Sequence, residues 1–118
     1  MKKEDVRKIG KKMDKSKAKQ WVKKYQKENP NATRGWLFGD DIINTLLSYD
    51  GCEGIWFFKG INEDGEERLI LFPADTDGNV LDKSMKSLGA AAARNGVPGG
   101  DDPADDGYGC PPMCPENI

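Results

Sequence analysis

The apolar positions change period along the chain, and each change marks an element. Val6, Ile9 and Met13 fall at i, i+3 and i+7, a thin helical stripe over residues 2–15 that Gly10 weakens. Ala18, Trp21, Val22 and Tyr25 then fall at i, i+3, i+4 and i+7. That spacing predicts an amphipathic helix over residues 17–29 with Ser16 as its N-cap and Asn29-Pro30 as its stop. Trp36-Leu37-Phe38, between two glycines, predicts a short strand. Ile42, Ile43, Leu46 and Leu47 predict a second helix over residues 41–49, capped by Asp40 and closed by Asp50-Gly51.

The period then shortens to that of strands. Residues 55–61 and 68–72 read as two strands around an Asp64-Gly65 turn. Asp77-Gly78 is a second turn signal, with a third short strand expected at residues 79–81. Both main strands carry apolar residues at successive positions, a pattern of strands covered on both faces. Helices cover one face. Trp56, Phe58, Ile70 and Phe72 are the interface candidates on the other, for a protein partner or a second copy of the chain.

These elements predict an α+β fold, a small antiparallel sheet built on the hairpin and packed by two helices. Its expected core is Trp21, Val22, Tyr25, Leu37, Ile42, Ile43, Leu46, Ile55, Phe57, Leu69 and Leu71. The chain divides into a basic helical extension at 1–15, a core domain at 16–83 and a flexible segment at 84–118. Within the last part, residues 84–94 carry a weak helical pattern. Residues 95–118 hold 5 Pro, 5 Gly, 5 acidic and no basic residues, a composition expected to stay a flexible acidic tail.

Charge sharpens this division. Residues 1–28 carry a balance of +8 and the remainder −10, within a net charge of −2. Lys17, Lys19, Lys23, Lys24 and Lys27 form a basic surface around the predicted first helix. It suits an acidic partner, or the acidic end of the same chain. Nonspecific nucleic-acid binding is a weaker reading, because the acidic remainder opposes it and Trp21 and Tyr25 are expected in the core.

The candidate chemistry is sparse. The chain has 118 residues and no histidine, which removes Ser-His-Asp and Cys-His catalysis and every histidine metal ligand. Catalytic residues are therefore expected to be none, although two carboxylates can act as acid and base without histidine. No glycine-rich phosphate loop is present. Asp75-Thr76-Asp77-Gly78-Asn79 opens like a calcium loop, but Val80 and Lys86 stand where that loop needs Gly and Glu. No run of about 18 apolar residues and no signal-like apolar segment occurs, so the expected location is cytoplasmic.

Three cysteines remain, Cys52, Cys110 and Cys114. Cys52 reads as a small buried hydrophobe. Cys110 and Cys114 enclose Pro111-Pro112-Met113 and are open to three readings: a redox pair, part of a metal site, or a structural loop. Extended, they would lie about 12 Å apart, so a bond between them requires a turn. A zinc site would need a fourth ligand from a carboxylate or a second chain. No cofactor is expected otherwise.

Trp21-Val22-x-x-Tyr25, Gly35 to Ile43, the Gly51 to Ile55 lead-in, the two Asp-Gly turns and the Cys-Pro-Pro-x-Cys ending together resemble a family of small uncharacterised bacterial proteins. The resemblance covers residues 16–82 and the final motif. It implies a bacterial single-domain protein, and it carries no activity, ligand or catalytic residue. The leading functional expectation is a non-enzymatic interaction or self-assembly module. A thiol redox or metal-binding protein is the alternative.

Overall fold

The computed structural model describes residues 5–83 and 100–117. It contains a 3₁₀ turn at Val6–Lys8, helices α1 (Lys15–Glu28) and α2 (Asp40–Ser48), and four strands. The strands are β1 (Gly35–Leu37), β2 (Gly54–Ile61), β3 (Glu67–Ala74) and β4 (Tyr108–Cys110). The fold is α+β, as the periodicity predicts. It holds two separate antiparallel pairs rather than one sheet, β2 with β3 and β1 with β4.

The hairpin is where local chemistry decides most. Asn62 Oδ1 accepts from the Asp64 and Glu66 backbone N–H groups at 2.9 Å each. Gly65 supplies the positive φ of 82° that the turn requires. From that turn the register runs through Phe58↔Ile70, Phe57↔Leu71 and Trp56↔Phe72 to Gly54↔Ala74. Strand alternation then sorts the side chains. Ile55, Leu69, Leu71 and Pro73 share one face, and Trp56, Phe58, Ile70 and Phe72 share the other.

The core sits on the first face. Leu46 of α2, Leu71 of β3 and Ala104 form its buried centre, with Phe38, Ile42, Ile43, Tyr49, Ile55 and Leu69 packed around them. This core is smaller than the sequence predicts. Trp21 is 61% exposed and Phe57 56%, and Val22, Tyr25 and Leu37 are also exposed. Phe57 lies opposite Leu71 on the same face, yet Leu71 is 0% exposed, so the core is centred on β3 and leaves this part of β2 open. Trp21, Val22 and Tyr25 stay outside this core, and the open edge of β3 is taken by Ala104. Leu71 and Ala104 exchange both backbone hydrogen bonds, at 3.0 and 2.8 Å.

Residues 100–117 therefore differ from the expected flexible tail. Contacts along their length hold them, none of them visible in composition. Ala104 pairs with Leu71. Tyr49 Oη donates to the Asp102 carbonyl at 3.3 Å. The Lys83 N–H donates to Asp101 at 2.7 Å. Gly35 to Leu37 pair with Cys110 to Tyr108. Acidic character here is internal complementarity as well, since Arg68 donates to Asp105 at 3.1 Å and Asp106 at 2.8 Å.

That cluster makes the packing of this segment acid-sensitive. The backbone N–H of Asp106 and the Arg68 guanidinium hold the Asp105 carboxyl below its ordinary 3.8. Its folded value is depressed, so its contribution is complete above the ordinary value and fades as pH falls through the lowered one. Arg68→Gln is expected to speed amide exchange at Ala104 and Leu71 at neutral pH. Acid should do the same to the native chain at pH below 3.8. Exchange rates at those two amides that ignore both changes would contradict the role given to Arg68.

Four other expectations need correction. Among the described residues the expected 2–15 helix is a single turn at Val6–Lys8, and Gly10 breaks its path with a φ of 101°. Asp14 rather than Ser16 caps α1, its carboxylate accepting from the Lys17 N–H at 3.0 Å. Gly39, not Asp40, is the N-cap of α2, and Asp40 and Asp41 occupy the first turn near the positive helix end. The strand expected at 79–81 is one bridge, Val80 to Ala74. The helical pattern at 84–94 lies outside the described residues.

Candidate functional site

The short β1–β4 ribbon lies beside α1, and the two leave a cleft of about 360 Å³ between them. Val22 and Gln26 of α1 form one wall. Trp36, Leu37 and Tyr108 form the ribbon wall, and Met113 and Pro115 close the end. These walls are mostly apolar, and Leu37, Tyr108 and Met113 are largely exposed. Among the described residues Arg34 is the one charged residue on the lining.

Cys110 and Cys114 also line this cleft, joined as a disulfide with Cα atoms 4.8 Å apart. The chain turns over Pro111–Met113 to bring them together. The peptide bonds preceding Pro111 and Pro112 are both cis. The Met113 N–H donates to the Gly109 carbonyl at 3.2 Å, and the Arg34 N–H to the Cys110 carbonyl at 2.6 Å. The loop is thus anchored to β1 at its first cysteine. Of the readings open for these thiols, the structure draws them as a bonded pair.

Cys52 stands apart. It is a free, half-buried thiol whose Sγ–H donates to the Gly54 carbonyl at 3.3 Å, and it is not part of the cleft lining. Among the described residues no group of three or more His, Cys, Asp or Glu side chains is placed to hold a metal ion.

The basic surface lies on α1, whose first turn holds Lys15 and Lys17 and whose last holds Lys27. None of the 14 residues of α1 is buried. Lys24 pairs with Glu28 at 3.7 Å, an exposed i,i+4 contact of small energetic weight. Lys19 stands one turn before Val22 and Lys23 one turn before Gln26, so both neighbour the residues of the cleft wall.

The four hairpin candidates form a second, aromatic surface. Trp56 and Phe58 stack with centroids 5.4 Å apart, and Phe72 meets Phe58 edge-on at 5.8 Å. Trp56 Nε1 donates to the Gly78 carbonyl at 2.9 Å, which ties this face to the second turn. Trp56 and Phe58 are exposed, and Ile70 and Phe72 are half-buried.

Sequence reasoning singled out the cysteines, the lysines and the hairpin face. It missed the ribbon wall, because the pairing of residues 35–37 with 108–110 spans most of the chain. No family model matches the chain, and neither a curated protein nor a solved structure matches it. No helix of the described residues is long and apolar enough to cross a membrane.

Proposed function

We propose that this chain is a non-enzymatic protein-interaction module whose cleft takes an apolar segment of a partner carrying acidic residues. One observation carries the reading. Helix α1 presents Trp21, Val22 and Tyr25 to solvent beside an apolar cleft, inside a run of lysines. A helix with an apolar stripe owes most of its stability to packing. Within the described residues that packing is incomplete, and the surrounding charge selects an acidic occupant.

A synthetic peptide with Leu and Phe at helical spacing and Glu or Asp between them is the probe. Titration calorimetry of the full chain should register binding that weakens with salt. Lys19→Glu with Lys23→Glu should weaken it about tenfold or more through like-charge contact at the rim. A peptide with lysine in place of its acids should not bind. If the acidic peptide gives no heat at low salt, the cleft is not a site for such a segment.

The exposure of Trp21 and Tyr25 favours a second reading, stacking of unpaired bases on a basic helix. Single-stranded DNA in the same titration distinguishes the two. DNA that binds at low salt when the acidic peptide does not would replace the first reading with the second. Self-assembly would engage the hairpin face, and a native mass of two chains that reverts to one on Trp56→Ser would assign it there.

A further inference from the structure

We propose that the Cys110–Cys114 disulfide is an exchange site, which passes electrons between this chain and thiols entering the cleft. The proposal does not rest on the acidic-segment reading. Three observations meet here. Both cysteines line a cleft wide enough for an incoming thiol, and both are half-buried rather than enclosed. A structural bridge needs no such access. Among the described residues the one charge on the lining is a cation, Arg34, which immediately precedes the strand that pairs with β4. Its backbone N–H holds the Cys110 carbonyl, which places the residue next to that cysteine. Thiolates are the reacting species in exchange, and a neighbouring arginine favours them.

The step balances with glutathione as the thiol. Its thiolate attacks Cys114 Sγ, forming one S–S bond and breaking the bond between the two cysteines. The electron pair passes to Cys110 Sγ, which leaves as a thiolate beside Arg34. A second glutathione thiolate attacks the glutathione sulfur of the mixed disulfide and releases Cys114. Two glutathiones are oxidised to one disulfide, the protein pair is reduced, and both new thiolates take protons from water. Cys110 is the leaving group because it lies on the anchored strand next to the cation, whereas Cys114 follows the turn.

The test uses the full chain in glutathione buffers of varied composition, quenched, alkylated and peptide-mapped so that Cys52 is scored separately. The pair should shift reversibly between bonded and reduced as the buffer changes. In the reduced chain, iodoacetamide should label Cys110 faster than Cys114 at neutral pH, and salt should narrow the difference. Arg34→Gln should slow labelling of Cys110 about tenfold, the effect of one unit in thiol pKa, and Arg34→Lys should restore most of it. Circular dichroism checks that both variants keep the fold, and the salt dependence of the native chain tests the same charge without substitution. A pair that stays bonded in excess reduced glutathione is a structural bridge and overturns the proposal. So does labelling of Cys110 that ignores both salt and the charge at Arg34. Peptide binding is measured independently, so either reading can fail alone.

Discussion

Leu71→Ala should lower the urea midpoint by the equivalent of about 2–5 kcal/mol, the range for truncating a buried leucine. Leu71 is 0% exposed. It touches each part that the core joins, standing against Leu46 of α2 and bridging Ala104 across the edge of β3. Removing its side chain leaves a hole that neither neighbour fills easily. Leu46 is fixed by the helix and Ala104 has only a methyl group to offer. Small domains hold about 5–15 kcal/mol in total, so this one change should take a large share. Leu47→Ala is the control. It lies on the same helix but is 45% exposed, so its cost should stay within about 1 kcal/mol. Equal midpoint shifts for the two variants would mean that the core is not centred on Leu71.

The second large effect is expected at Gly107. A Cβ there would overlap the ring of Phe38, with three ring carbons too close for any side-chain atom. Phe38 cannot simply turn away, because it packs against the Leu46–Leu71–Ala104 centre. Gly107→Ala should therefore cost about 1–3 kcal/mol, the typical penalty of overpacking. It should also weaken the β1–β4 pairing that begins at Tyr108. The second effect separates this prediction from a general loss of stability. Amide exchange at Trp36 and Gly109 should rise more than exchange along β2. Gly35→Ala, where a Cβ meets nothing within 4 Å, should leave the midpoint almost unchanged. A Gly107 variant as stable as the native chain would mean that Phe38 does not occupy this space.

What the sequence makes legible is what neighbouring residues decide. The hairpin of β2 and β3 follows from Asn62, Gly65 and two flanking apolar runs, and it forms where the sequence places it. Helix α2 follows from four apolar residues at helical spacing. The same logic misplaces Trp21 and Tyr25, because periodicity tells which side of a helix is apolar and not whether anything covers it. The four hairpin candidates fall on one face, since strand alternation fixes that much before any packing is known. Residues 100–110 were illegible for a different reason. Their proline, glycine and aspartate content describes a chain unable to build its own core, and this segment does not build one. It completes cores made elsewhere, through one alanine, one arginine pair and a three-residue strand. Such contacts join residues 33 to 75 positions apart and leave no local periodicity to read. The disulfide was half legible. Spacing shows that Cys110 and Cys114 need a turn, but the cleft they border is set by β1 and α1.

The Leu71–Ala104 bridge also sets an order of events during synthesis. Leu46 and Leu71 emerge from the ribosome together with the hairpin and α2, but their buried partner follows 33 residues later. At about 5–20 residues per second, the hairpin's apolar edge stays open for seconds while the acidic segment is still being made. An unpaired β3 edge next to exposed leucines is the kind of surface that draws chaperones or neighbouring nascent chains. The acidic segment thus serves the newborn chain as well as the finished one. It is a built-in cap that arrives late, and the interval before it arrives is when this protein is most exposed to misassembly.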